Sequence, residues 1–253
     1  MTSAKRGAAY FDQWYADMAA SPVRDAIIAR ALRLPPGLHL TGVLPGPAVT
    51  TLTEELGLSE GGLLLDIACG RGGYGIEVAH RTGSRLIGVD FSAEALRQAT
   101  SLSTRRLPTG RAEFRLGTLV ATGLPAAAAD GLMCVDAVQF AEPPPAALIE
   151  FRRLLRSGGR LALTCWEAAD PADRRVPARI QAVDLRRDLP RAGFVDVRVR
   201  EQRDWREAER TLWQEAVAAD GTDPAVRSLQ EEGRRSLDTF DSLRRVLATA
   251  TAP

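Results

Sequence analysis

The stretch LLLDIACGRGGYGIEVA, residues 63–79, decides the fold. It places an apolar run typical of a buried strand, a glycine-rich turn and the start of a helix in immediate succession. Glycines at 70, 72, 73 and 75 let the backbone approach a ligand without interference from a Cβ atom. The stretch therefore predicts a strand–turn–helix unit whose turn contacts a nucleotide-like ligand.

An acidic residue in front of the turn distinguishes between two kinds of ligand. Gly70, Gly72 and Gly75 satisfy G-x-G-x-x-G, the pattern of dinucleotide-binding turns. Asp66 would repel a pyrophosphate at this place, whereas S-adenosylmethionine (SAM) presents a cationic amino-acid end and a sulfonium. The pattern favours SAM. An NAD(P)-dependent oxidoreductase is the weaker alternative, since Lys5 is the only lysine and no Tyr-x-x-x-Lys pair exists.

Short apolar runs alternate with helical patterns along the rest of the chain. Strands are predicted at 63–68, 85–90, 112–117, 131–136, 160–166, 195–200 and 244–252, and helices near 73–82, 93–103, 145–155 and 177–192. Such alternation is typical of βαβ units. The predicted fold class is α/β, Rossmann-like, with a seven-stranded, mostly parallel sheet and helices on both faces.

Helical segments are predicted at both ends of this alternation. Apolar positions recur at helical spacing over residues 8–33, and the break at Ser21-Pro22 predicts two N-terminal helices followed by a proline-rich loop at 34–47. Two amphipathic helices are predicted within 203–240. We expect one domain, 1–253, made of N-terminal helices and loop (1–58), a ligand-binding core (60–200), a helical lid insertion (203–240) and a last strand (241–253).

Composition excludes several classes of function. The formal net charge of +1 indicates neither a nucleic-acid partner nor an anionic membrane. Cys69, Cys134 and Cys165 are widely spaced and form no C-x-x-C pair, which predicts neither a disulfide framework nor a metal site. No export signal or stretch of ~18 apolar residues is found, so we expect a cytoplasmic protein. The sequence leaves monomer and homodimer open.

The order of these motifs resembles the class I SAM-dependent methyltransferases over residues 60–200. The run from Asp66 to Gly72 is a close match to the family's D-x-G-x-G-x-G, with Ala68 at the second of its fixed positions. The run GTLVATGLP, at 117–125, resembles the family's G-D-x-x-x-L-P with Thr118 in the acidic position. The chain looks most like ubiquinone-methylase-like bacterial enzymes that methylate small molecules, including natural products.

The resemblance implies a set of cofactor contacts. Asp90 ends the second strand, 20 residues after Gly70, where a carboxylate can accept both ribose hydroxyls. Phe91 would flank the adenine, and the Thr118 hydroxyl could accept one hydrogen bond in place of a carboxylate. The residues expected to contact SAM, and its product S-adenosylhomocysteine (SAH), are Asp66, Ala68, Gly70, Gly72, Asp90, Phe91, Thr118, Leu119 and Val135.

The resemblance also implies where the acceptor lies. Asp136 and Gln139 follow the fourth strand, where family members face the methyl donor and the acceptor, and they are the expected catalytic residues. Aromatic residues expected to line the acceptor, with core packing as the open alternative, are Tyr10, Trp14, Tyr15, Phe140, Trp166 and Trp213. His80 is expected on a solvated helix face, and His39 in the proline-rich loop could reach the mouth of the site.

The expected function is transfer of a methyl group from SAM to an O, N or C nucleophile of a small organic acceptor, in secondary metabolism. Neither histidine matches a catalytic motif and no metal-ligand cluster is recognised, so orientation of the reactants would dominate catalysis. A methyltransferase-like protein that serves as a binding or cyclisation module is the alternative from another class.

Overall fold

The structure, a computed structural model, describes residues 7–35, 37–38, 40–221 and 223–253. Its strands are β1 Leu63–Ile67, β2 Arg85–Asp90, β3 Ala112–Leu116, β4 Ala129–Val135, β5 Leu155–Ala168, β6 Val195–Glu201 and β7 Leu243–Thr251. Its helices are α1 Ala8–Ala19, α2 Pro22–Ala31, α3 Gly46–Leu56, α4 Gly73–Thr82, α5 Ala93–Arg106, α6 Pro144–Leu154, α7 Ala178–Gln181, α8 Leu185–Arg191, α9 Arg203–Ala218 and α10 Pro224–Asp238.

The seven strands form one sheet in the order β3-β2-β1-β4-β5-β7-β6. Strands β1 to β5 pair in parallel, and β7 runs antiparallel between β5 and β6. The predicted fold class is confirmed. Strand order reverses between β1 and β4, and in open α/β sheets the ligand crevice lies at the carboxyl ends of the strands on either side of such a reversal.

Three buried clusters hold the layers together. On one sheet face α6 and α8 pack through residues such as Phe151 and Leu189, and on the other α3 and α4 pack through residues such as Leu52 and Ile76. A third cluster joins α2 to α9 and α10 and includes Trp213. The N-terminal helices and the 203–240 insertion therefore pack against each other as one helical layer.

Two elements differ from the sequence prediction. Helix α3 begins at Gly46, inside the segment predicted as a loop, because Pro47 lies in its first turn, where proline needs no intrahelical donor. The helix predicted at 177–192 is divided into α7 and α8, because Asp184 accepts a hydrogen bond from the Arg187 backbone N–H and so caps a new helix. Within the described residues, no helix is both long and apolar enough to cross a membrane.

Candidate active site

The glycine turn after β1 brings the chain close to the end of β2. Ala68, Gly70 and Gly72 all have positive φ, at +61°, +52° and +77°. The Gly70 N–H donates to Asp90 Oδ2 at 2.8 Å. A Cβ atom at Gly70 would lie 2.5 Å from the Thr41 hydroxyl, so only glycine fits between the turn and the segment above it.

Asp90 presents a buried carboxylate at this edge of the sheet. It is 3% exposed, and its Oδ1 accepts the Ser92 backbone N–H at 3.0 Å. Burial raises the pKa of Asp90, while backbone N–H groups of Ser92, Gly70 and Phe91 oppose the rise. Each carboxylate oxygen has further acceptor capacity, so the pair of oxygens suits two neighbouring hydroxyls.

Asp66 lies behind the glycine turn, against the first turn of α4. A Cβ atom at Gly75 would lie 2.5 Å from Asp66 Oδ2, and the Gly75 backbone donates a hydrogen bond to the carboxylate. Burial, with a smaller effect of Asp90, raises the pKa of Asp66 to about 7. Nearby positive charge would favour its ionised form, which fits a cationic ligand over this turn.

The N-terminal helices cover the turn. Tyr15 is 5% exposed, and its hydroxyl lies 3.2 Å from the position of a Cβ on Gly70. Arg71, inside the turn, donates two hydrogen bonds to Asp25 of α2, at 2.9 and 3.0 Å. A hydrogen bond of 2.5 Å from the Ser92 hydroxyl to Asp12 joins α1 to the start of α5.

An aromatic row on α1 continues this cover. The Phe11 ring meets Phe91 edge to face, with centroids 5.0 Å apart, and Trp14 meets Tyr15 at 5.1 Å. Tyr10 stacks edge to face on Phe11 at 5.4 Å. The structure thus places the predicted acceptor-lining residues of α1 in an aromatic row next to Phe91 and the glycine turn.

The loop after β3 makes local contacts. Thr118 is exposed, and its hydroxyl oxygen accepts the Ala121 backbone N–H at 3.1 Å. Leu119 is half-buried and packs against the core under α6. The Thr118 hydroxyl therefore caps its own turn and keeps its proton for a further partner.

Asp136 lies just beyond β4, with φ at +58°. Its carboxylate accepts hydrogen bonds from the Thr164 hydroxyl at 2.8 Å and the Val43 backbone at 3.3 Å. Its two shortest hydrogen bonds come from Arg245 Nη2, at 2.6 Å to Oδ1 and 2.7 Å to Oδ2. The predicted contact Val135 is buried beside it. Asp136 is thus the centre of a hydrogen-bonded cluster.

Gln139 is hydrogen-bonded to the backbone of this cluster. Its Nε2 donates to the Asp136 carbonyl at 2.8 Å. The residue is 2% exposed, and its Oε1 has no hydrogen-bond partner among the described residues. A buried acceptor without a partner is a position where a ligand donor would be stabilised.

Two ionisable residues that the sequence analysis did not single out complete the cluster. Arg245, 1% exposed, lies at the start of β7 with its guanidinium carbon 4.1 Å from the centroid of the Trp166 ring. Glu209 of α9 accepts hydrogen bonds from both indoles, at 3.0 and 3.1 Å from Trp166 and at 3.0 Å from Trp213. Burial raises the pKa of Glu209 to about 7, although Arg245 opposes the rise.

A sequence signal for Glu209 exists. The apolar stripe of α9 runs through Trp205, Leu212, Trp213 and Ala216, and Glu209 lies on that stripe, four residues from each tryptophan. A carboxylate on a buried helix face requires hydrogen-bond partners. The indoles of Trp166 and Trp213 are two of them. No comparable signal marks Arg245, one of many arginines in the chain.

The remaining candidates lie elsewhere. Phe140 is 46% exposed, with the Arg179 guanidinium 5.2 Å from its ring centroid. His80 is exposed in the last turn of α4, in accord with its predicted solvated face. His39 lies outside the described residues. The structure therefore brings together Asp136, Gln139, Trp166 and Trp213, and separately the glycine turn, Asp90 and Phe91.

The family comparison fits this geometry. Residues 65–163, from β1 through β5, match the family described as "Methyltransferase domain". This segment of the chain is therefore similar to a methyltransferase domain. The match agrees with the predicted resemblance, and the glycine turn, Asp90 and Asp136 all lie in the matched segment.

Relatives in the family have several substrates. A segment of 103 residues is 32% identical to nocamycin O-methyltransferase of Saccharothrix syringae, covering 40% of this chain and 36% of that enzyme. A segment of 130 residues is 25% identical to O-methyltransferase resE of Aspergillus sclerotiorum, covering 49% of each chain. The chain spans about half or less of the length of these curated relatives.

The solved structure of a cyclase shares the fold over nearly the whole chain. The 4+2 cyclase SpnF has a TM-score of 0.72 at 21% identity and covers 97% of this chain and 96% of its own. At this level of identity the likeness concerns the fold alone. The N-terminal helices and the insertion before β7 thus fall within the shared architecture.

Proposed function

We propose that this chain binds SAM across the carboxyl ends of β1 and β2 and transfers its methyl group to an O, N or C nucleophile of a small organic acceptor, releasing SAH. SAM supplies an electrophilic methyl carbon on a sulfonium. The match of residues 65–163 to the methyltransferase domain and the similarity to nocamycin O-methyltransferase support the reaction and a role in secondary metabolism. The three cysteines are free thiols, which fits the reducing cytoplasm.

One observation carries the proposal: the buried Asp90 carboxylate accepts the Gly70 N–H at 2.8 Å, which holds the end of β2 against the glycine turn, and its oxygens keep acceptor capacity for hydroxyls. Asp90 would bind the ribose hydroxyls, and the turn would lie against the amino-acid part. Phe91 and its neighbours on α1 would enclose the adenine. Asp66, with its raised pKa, fits a cation at the turn better than it fits a pyrophosphate.

The chain's residues would act mainly by position. The helical layer formed by α2, α9 and α10 packs against Trp166 and Val43. It would exclude water from an acceptor bound there. Asp136 and Gln139 would orient the acceptor through their buried polar groups. Bringing two reactants together in this way accounts for a large part of the barrier reduction in such reactions.

A second candidate is a SAM-binding module that catalyses cyclisation without methylation. The 4+2 cyclase SpnF shares the fold over nearly the whole chain, so the fold is compatible with this activity. In this case SAM would be retained and the helical layer would fold the acceptor.

Mass spectrometry of SAH tests the two candidates. The protein is incubated with SAM and a panel of small phenols, amines and enols, and SAH is quantified with and without each acceptor. Acceptor-dependent formation of SAH and of a product 14 mass units heavier, about one CH₂, is expected. SAM that stays intact while an acceptor changes its structure would favour the cyclisation module instead.

A further inference from the structure

The buried cluster of Asp136, Arg245 and Glu209 lies at the acceptor side of the edge. Asp136 follows β4, Arg245 opens β7, and β7 pairs with β5 so that Arg245 is opposite Trp166. All three ionisable side chains are at least nine-tenths buried. Because β7 is antiparallel to its neighbours, its first residues lie at the carboxyl ends of the parallel strands, where the crevice opens.

Folding stability does not explain why three ionisable side chains are buried here. Three buried ionisable groups carry a large desolvation penalty, and well-packed apolar side chains would stabilise the contact between α9 and the sheet at least as well. Arg245 Nη2 is fully engaged by Asp136, whereas Arg245 Nη1 is 3.6 Å from Glu209 and has no hydrogen-bond partner among the described residues. A buried cationic N–H donor without an acceptor fits a ligand oxygen.

Glu209 has the complementary property. It accepts hydrogen bonds from the indoles of Trp166 and Trp213, which fix its position but donate no proton to it. The charged or titratable groups that face it from other elements are Arg245, Asp136 and, farther off, Tyr74. A carboxylate held beside a cationic donor can take the proton of a hydroxyl whose oxygen that donor holds.

We propose, resting on the function proposed above, that Arg245 and Glu209 bind and activate the acceptor, and that the acceptor is an acidic hydroxyl of a phenol or enol. Arg245 Nη1 donates a hydrogen bond to the hydroxyl oxygen, and Glu209 accepts its proton. The oxygen forms a bond to the methyl carbon while the bond from that carbon to sulfur breaks. The sulfonium becomes the neutral thioether of SAH, and the proton remains on Glu209 until it leaves to solvent.

Access requires movement of the segment 40–45, which covers the cluster. The Val43 backbone N–H donates to Asp136, and a Cβ atom at Gly42 would lie 3.1 Å from the Asp136 carboxylate. The Leu44 N–H and carbonyl both hydrogen-bond the Tyr74 hydroxyl. An acceptor oxygen approaching Arg245 would therefore displace this strap or α9.

The test compares acceptors of graded acidity. Wild type, Glu209→Gln and Arg245→Lys are assayed with SAM and with phenol, 2-naphthol or 4-nitrophenol. Because a general base contributes ~10² to 10⁴ in rate, Glu209→Gln should lower turnover of phenol by that factor. It should lower turnover of 4-nitrophenol, which ionises readily by itself, by less than about tenfold. Arg245→Lys should raise KM for all three, since lysine keeps the charge but not the forked geometry.

The pH profile separates catalysis from folding. Wild-type kcat for phenol should rise as Glu209 ionises and then level off, and this limb should be absent in Glu209→Gln. In Trp213→Phe, which removes one hydrogen bond that favours the carboxylate, the limb should move to higher pH. Glu207→Gln is the matched control, an exposed glutamate of the same helix, and should behave as wild type.

Calorimetric measurement of SAH affinity distinguishes failure of the role proposed for Glu209 and Arg245 from failure of SAM binding. The proposal requires SAH affinity within about twofold of wild type in Glu209→Gln. Full turnover of phenol by Glu209→Gln overturns it, and so does parallel loss of SAH affinity and thermal stability, which would indicate a structural role. Wild type that binds SAM but neither binds nor methylates any of the three hydroxyls also overturns it, while leaving SAM binding intact.

Discussion

Asp66 is buried behind the glycine turn, and its burial makes the ionised carboxylate unfavourable. Its pKa is raised from 3.8 to about 7, chiefly by burial. A carboxyl whose pKa is higher in the folded than in the unfolded chain stabilises the fold fully below pH 4, and that contribution is lost as pH rises to about 7. At pH 7 about half of the unliganded molecules carry this unfavourable charge, and a cationic partner would favour the ionised form.

We expect Asp66→Asn to raise the melting temperature at pH 8 but to change it little at pH 4.5, where the wild-type carboxyl is protonated. The same variant should weaken SAM binding at pH 8, because the cationic end loses its counter-charge. Differential scanning fluorimetry at the two pH values measures the first effect, with the exposed Asp220→Asn as control. An equal shift at both pH values would show that ionisation of Asp66 is not the cause.

Ala68 shows how local backbone shape could be inferred from the family pattern. It occupies the position where relatives commonly have glycine, and its φ of +61° lies in the region that favours glycine. The family pattern identifies the replaced glycine, but no backbone conformation was predicted for Ala68. The Asp136 φ of +58° had no such signal, because no glycine pattern marks the end of β4.

At the scale of elements, the N-terminal helices are tied to the glycine turn by charge. Arg71 forms two hydrogen bonds to Asp25, which also meets Arg24 at 3.0 Å. Asp25 joins α2 to the turn while Tyr15 lies over Gly70. Release of a cofactor from beneath these helices would require the contact to open.

We expect Asp25→Asn to accelerate SAM dissociation by about fivefold or more, with a smaller effect on the association rate, because interface contacts act mainly on dissociation. Stopped-flow displacement of SAM by excess SAH measures the rate. Asp17→Asn is the control, because it removes a charge from an exposed contact of α1 in which the Gln13 amide donates to Asp17. Unchanged dissociation in a folded Asp25→Asn protein would mean that these helices do not retain the cofactor.

Element predictions succeeded where periodicity and turn residues agreed. Six of the seven strands and the helices α4 and α5 lie close to their predicted ranges, whereas β5 begins at Leu155, five residues before the predicted strand 160–166. The α3 helix was missed because four prolines close together in the sequence dominate the pattern of residues 34–47. Helix α8 was merged with α7 because only the side-chain contact of Asp184 separates them.

At the scale of the molecule, the sheet order determines which residues meet. The proximity of Asp90 and Gly70 is predictable from the sequence, because they lie at the carboxyl ends of neighbouring parallel strands in consecutive βα units. The meeting of Asp136 with Arg245 depends on the antiparallel pairing of β7 with β5, in which Trp166 is opposite Arg245. Register between strands distant in sequence is set by tertiary packing, so the acceptor cluster could not be predicted.

The Tyr15 hydroxyl illustrates the same limit. Its helix was predicted, and an aromatic wall was assigned to it, but the direction of α1 over the sheet was open. The structure directs Tyr15 to the glycine turn, whereas Trp166 and Trp213 meet at Glu209. The packing of the helices therefore places the predicted aromatic residues in two separate groups, one at the glycine turn and one around Glu209.

Isothermal titration calorimetry of SAM and NADH into wild type and Asp90→Ala tests the central claim most directly. The account predicts one SAM site per chain in wild type and no NADH binding. Because charge-assisted hydrogen bonds contribute about 1.5 to 3 kcal/mol each, Asp90→Ala should weaken SAM binding by on the order of a hundredfold or more. Binding of NADH in place of SAM, or unchanged SAM affinity in a folded Asp90→Ala protein, would contradict it.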